Sequence, residues 1–117
     1  MKRFALLAVM AALWLTHPSA NAQGLASWAE RQPTPAEVYA TYPERALSEG
    51  VNGDVRLLCT VRDDRALECA IHSETPLDYG FGAAAMRLAS RYVARADDER
   101  VAVGARVILP ISYRMAD

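Results

Sequence analysis

The sequence predicts an α+β fold, a three-stranded antiparallel sheet with two helices on one face. Three observations carry that prediction. Two runs alternate apolar and polar residues with period two, and only Asp63-Asp64-Arg65 and short flanks separate them, so they read as a hairpin. A third run with the same alternation closes the chain. Between the second and third runs, apolar residues recur at helical spacing. Helices that bury one stripe against the apolar face of such a sheet form an α+β layer arrangement.

The chain has 117 residues, enough for one small domain behind a leader. Lys2 and Arg3 precede the uncharged run Phe4 to Leu15, and Ala20-Asn21-Ala22 supplies an A-x-A cleavage site. Residues 1–22 are therefore expected to be a secretory signal cut after Ala22. The rival reading is a retained anchor. Twelve helical residues rise only about 18 Å, short of the roughly 30 Å hydrocarbon core. Without Lys2 and Arg3, 11 arginines face 14 acids, a net charge of −3. No basic run or stripe is present, which argues against nucleic acid as a partner. No second apolar run approaches spanning length, so no membrane span is expected after cleavage.

Residues 23–41 read as an N-terminal extension with Trp28 as its one large apolar residue, and residues 42–117 as the folded domain. Thr34-Pro35-Ala36-Glu37 predicts a helix start: Thr34 as N-cap, Pro35 at the first helical position, Glu37 closing a capping box. That helix is short, because Tyr42 precedes Pro43 and is pushed out of helical dihedrals. Pro43 opens a second helix to Glu49, with Gly50 as its stop. Val55, Leu57, Cys59 and Val61 form the apolar face of the first strand, and Leu67, Cys69 and Ile71 that of the second. Tyr79 to Ala94 reads as a helix, with Phe81, Ala85, Leu88 and Tyr92 along one face and Gly80 and Gly82 weakening its first turn. The third strand is expected over Val101 to Met115. Pro110 within it has no N–H, which requires an unpaired edge or a bulge there.

Candidate chemistry is sparse. Cys59 and Cys69 are the only cysteines. Counting back from the hairpin loop places them directly opposite each other, at a Cα separation of about 4.5–5.5 Å that a disulfide tolerates. Export to an oxidising compartment favours a structural disulfide over two buried thiols. His72 has no partners at metal-ligand spacing, so no metal site and no cofactor are expected. No serine lies in a nucleophile motif, and Asp63-Asp64 and Asp97-Asp98 sit in turns where solvated acids are common. No general acid–base pair or nucleophile constellation is visible, so an enzyme is the weakest reading.

Tyr42-Pro43-x-x-Ala46-x-x-x-Gly50-Val51-x-Gly53-x-Val55, continued by Val55-x-Leu57-x-Cys59-x-Val61, resembles the opening signature of the TonB C-terminal domain family. Phe81-x-x-Ala84-Ala85-Met86 sits where that family's second helix begins, and Val107-x-Leu109-Pro110-Ile111-x-Tyr113 resembles its final strand. The resemblance covers Tyr42 to Met115. It implies a periplasmic module without enzymatic activity that binds TonB-dependent outer-membrane receptors or other envelope proteins. The implied mode is β-augmentation, in which a partner segment pairs with the last strand. The binding strand would comprise Val103, Ala105, Arg106, Val107, Leu109, Ile111 and Tyr113, and a proline at Ile111 is expected to block docking without unfolding the monomer. Arg106 and Arg114 read as edge-protecting charges or as contacts to an acidic partner segment. Full-length transducers of the family carry a spanning helix and a long proline-rich segment. The short leader and the two prolines of residues 23–41 depart from that plan. Two other readings stay open: a membrane-anchored energy transducer, and an accessory envelope protein whose edge pairs with a second copy in a homodimer.

Overall fold

The computed structural model describes residues 26–115, so the leader read over residues 1–22 and its cleavage site lie outside the described residues. The elements run β1 (Ala29–Arg31), α1 (Pro35–Ala40), α2 (Glu44–Glu49), β2 (Gly53–Val61), β3 (Leu67–Thr75), α3 (Phe81–Ala89), β4 (Val93–Ala94), a 3-10 turn (Glu99–Val101) and β5 (Arg106–Tyr113). The class is α+β. β2, β3 and β5 form a three-stranded antiparallel sheet in the order β3-β2-β5, and β1 and β4 form a two-stranded ribbon.

Both short helices begin and end where their local chemistry dictates. The Thr34 hydroxyl accepts from the Glu37 N–H at 3.1 Å, and the Glu37 carboxylate accepts from the Thr34 N–H at 3.0 Å, the reciprocal capping box that the sequence predicts. α2 ends on Gly50 at φ 68°, where an L side chain would be strained.

Alternation in β2 puts Val55, Leu57, Cys59 and Val61 in the core, where they meet Leu109, Ile111 and Tyr113 of β5. α3 covers β3 and β2 on that face and contributes Phe81, Ala84, Ala85 and Leu88. Tyr42 stands edge-on to Phe81 and Tyr113, with ring centroids at 5.8 and 5.3 Å. Its hydroxyl donates to the Val51 carbonyl at 2.6 Å, so the chain between α2 and β2 is fastened over the aromatic cluster.

The register makes Cys59 and Cys69 direct partners, and they form a disulfide with Cα atoms 4.0 Å apart, nearer than the expected 4.5–5.5 Å. In β3 the register then shifts: Leu57 faces Ile71 while Arg56 faces Ser73, so His72 is the extra residue of a bulge and is exposed. Ile71 lies on a strand with no outer neighbour among the described residues and stays 46% exposed despite its place in the apolar alternation.

Two expected elements are shorter than the periodicity suggests. The helix expected over Tyr79 to Ala94 ends at Ala89. Beyond it the backbone is drawn into strand pairing: Ala94 N–H donates to Arg65 O and Arg95 N–H to Trp28 O, both at 2.9 Å. Tyr92 remains buried by stacking on Trp28 at 6.1 Å, which preserves the helical-looking spacing of apolar residues without the helix. The segment from Ala26 onward is thus packed on the domain through β1, although it reads as an extension. The strand expected over Val101 to Met115 starts at Arg106. Glu99–Val101 coil into a 3-10 turn capped by Asp98, and Gly104 at φ 89° turns the chain into β5. Val61 donates to Ala105 O at 2.9 Å and accepts from Gly104 N–H at 2.8 Å, so two residues oppose one in a glycine bulge.

Candidate functional site

β5 has β2 on one side and, among the described residues, no strand on the other. Which backbone groups face that open side follows from one bond. In an antiparallel ladder, alternate residues direct both N–H and C=O toward the same neighbour. Val61 bonds Ala105, and the register continues without a shift through Cys59↔Val107, Leu57↔Leu109, Val55↔Ile111 and Gly53↔Tyr113. The odd-numbered residues of β5 therefore bond inward to β2. The even-numbered residues Arg106, Ile108, Pro110 and Ser112 turn their backbone groups to the open side. Pro110 sits at an outward position, which resolves the alternatives that the sequence left for it: an unpaired edge, with no bulge at that point.

This parity divides the residues expected to form the binding strand. Val103 lies in the turn before the strand and Ala105 in the bulge. Val107, Leu109, Ile111 and Tyr113 belong to β5, but their backbone groups are committed to β2. Of the residues expected in that row, Arg106 alone has the outward parity; Ile108 and Ser112 were missed. Proline itself was the available signal, because a paired strand tolerates it only with its nitrogen turned away from its neighbour.

Beside the outer edge, on the core face, runs an apolar groove of about 300 Å³ lined by Val38, Leu88, Tyr92, Pro110, Ile111 and Ser112. A second hollow of about 240 Å³ continues past Val38 to Tyr39, Tyr42 and Arg114. α1 forms the far wall. The Glu37 carboxylate meets the Arg91 guanidinium at 3.6 Å, linking α1 to the turn after α3. Tyr39 is half exposed beside the second hollow. Neither Val38 nor Leu88 reads as a site residue in sequence, because both carry ordinary helix-face spacing.

The far end of the strand is polar. Ser112 Oγ and Arg114 Nη2 each lie 2.9 Å from the same Asp54 carboxylate oxygen, and Arg114 also donates to Gly53 O at 3.1 Å. Partial burial pushes the Asp54 carboxyl up, but the Ser112 hydroxyl and Arg114 guanidinium outweigh it and leave it below its usual range. Arg114 is thus engaged within the domain, and Arg106 stands exposed at the strand's start. Burial raises the Tyr113 phenol above its ordinary value, opposed by its hydrogen bond to Thr41 and by the Arg87 charge.

The motif residues Tyr42, Pro43, Ala46, Gly50 and Gly53 serve packing and turns, and Tyr42 also lines the second hollow with Ser112. Pro43 is the N-cap of α2, Ala46 is fully buried, Gly50 is its left-handed stop, and Gly53 lies against the Phe81 ring. Among the described residues, no group of three or more His, Cys, Asp and Glu is placed to hold a metal ion, and no helix is long and apolar enough to cross a membrane. No protein-family model and no curated protein sequence matches this chain.

Proposed function

We propose that this chain is an exported, TonB-like binding module of the periplasm. It would recognise an extended segment of a TonB-dependent outer-membrane receptor, or of another envelope protein, by strand addition to β5. One observation carries the reading: a row of outward backbone groups at Arg106, Ile108 and Ser112, unpaired among the described residues, lies beside an apolar groove. The backbone row supplies sequence-independent affinity, and the groove selects an apolar side chain at one position of the partner. The sequence resemblance over Tyr42 to Met115 supports the same reading, as does a disulfide suited to an oxidising compartment. The 9-residue β3 edge is also open among the described residues, but its bulge at His72 breaks the run that a docking strand would need.

Photocrosslinking in intact envelopes, from a probe in place of Arg106, tests the proposal. The expected result is a discrete adduct with one envelope protein, lost when Ile108 is replaced by proline. An adduct that survives Ile108→Pro, or no adduct at all, overturns it. Mass spectrometry of the N-terminus separates the anchored-transducer reading: a chain starting at Gln23 is cleaved, and one starting at Met1 or Lys2 is anchored.

A further inference from the structure

We propose that Pro110 makes the β5 edge selective for a foreign strand over a second copy of this chain. The inference rests on the strand-addition reading above and adds a discrimination to it.

The reasoning is a hydrogen-bond count along the outer row. Arg106, Ile108 and Ser112 each offer an outward N–H and C=O, and Pro110 offers only C=O. A partner strand that lies across all four loses one hydrogen bond, the one its own carbonyl would have accepted at Pro110. A second copy of β5, related by a two-fold axis, brings the same defect on its own strand. In such an antiparallel pair each proline faces a residue of the other copy, so the loss occurs twice. Every two-fold register that includes Pro110 suffers both losses. The only escapes confine the overlap to the four residues before Pro110 or the three after it, too short for a stable two-stranded contact.

The side chains point the same way. Pro110 and Ser112 form part of the rim of the apolar groove, whose other walls are Val38, Leu88 and Tyr92. In a β5–β5 pair, the residues that could enter a copy's groove come from the core-facing set Val107, Leu109, Ile111 and Tyr113, of which the last three are buried in their own domain and Val107 is half-buried against it. A foreign extended segment has an apolar side chain free to fill it. The occupant that fits is therefore an extended segment of another polypeptide with an apolar residue, and a second copy is disfavoured by the hydrogen-bond count.

Sedimentation velocity of the exported protein over a wide concentration range is the test, with wild type, Pro110→Val and the double variant Pro110→Val, Ile108→Pro. Near-ultraviolet circular dichroism verifies the fold, and Pro110→Thr replaces Pro110→Val should valine disturb it. The wild type is expected to sediment as a monomer, while Pro110→Val self-associates roughly tenfold or more tightly, from two restored hydrogen bonds. The double variant should return to monomer. A folded Pro110→Val that sediments as wild type does, or a double variant that dimerises as well as the single one, overturns the inference. The crosslink from position 106 keeps the two readings apart. A wild-type adduct alongside a monomeric Pro110→Val sinks the guard role and leaves docking standing. A dimeric Pro110→Val without any wild-type adduct supports the guard and sinks docking.

Discussion

The Phe81 ring lies directly on the backbone of Gly53: a Cβ built there would stand 2.5 Å from Cδ2 of the ring. Phe81 and Tyr113 are both fully buried, and their rings lie 5.5 Å apart, so the ring has no room to retreat. Gly53→Ala is therefore an overpacking mutation at the first residue of the central strand. Chemical denaturation should show a loss of about 1–3 kcal/mol, in the usual range for an added core methyl group. An unchanged midpoint would mean that the ring has an alternative rotamer open to it.

The Cys59–Cys69 disulfide joins β2 to β3 at a sequence separation of 10. By the loop-entropy relation, a loop of that size contributes about 2.5–3 kcal/mol by restricting the unfolded chain. The variant with alanine at both positions should lose about that much in denaturation, with the larger part seen as a lower midpoint at similar slope. A loss near zero would show that the hairpin is already closed in the unfolded ensemble.

Two prolines placed three residues apart on β5 should behave oppositely. Ile108 turns its N–H outward, on the side to which Pro110 turns its ring nitrogen, so Ile108→Pro should cost about 1 kcal/mol or less and leave the monomer folded. Ile111 bonds inward opposite Val55 and is buried, so Ile111→Pro removes a central ladder bond and a core side chain. It should lower stability by about 3 kcal/mol or more. Ile111→Pro is thus unsuited to separate binding from folding, contrary to the sequence-based expectation. Thermal unfolding of both variants checks the contrast; equal losses would refute the assigned parity.

Asp98 caps the turn into β5, and its carboxylate accepts from the Arg100 guanidinium and from the Arg100 N–H at 2.9 Å. The Arg100 contacts, side chain first and backbone second, hold its pKa at about 2. A carboxyl depressed in the folded state stabilises above its unfolded pKa and loses that contribution as pH falls through the folded value. The contribution should therefore be intact above about pH 5, decline as pH falls and be gone only below the folded value of about 2. The stability of Asp98→Asn should vary less over that window than wild type does. Identical acid-titration curves for the two proteins would remove Asp98 from the account.

By itself the sequence determined the class of fold and the ends of the two short helices and of β2 to within a residue. Alternation in β2, the capping box at Thr34, the stop at Gly50 and the direct opposition of Cys59 and Cys69 are local or one-loop consequences of residue order, and each stands in the structure as read, whereas alternation in β3 fails at Ile71 and the His72 bulge. Tyr42, Gly50 and Gly53 were legible only as a pattern of residues. Tertiary structure gave those residues a physical role, in packing. It alone decided where α3 stops, because helical spacing at Tyr92 is satisfied equally by stacking on Trp28, a residue 64 positions earlier. It alone assembled the groove, whose walls come from α1, α3 and β5, and it alone fixed which residues of β5 face outward. Periodicity reports which way side chains point. Which neighbour a backbone N–H bonds depends on where another strand happens to lie, and a chain read in order carries that information only at its proline.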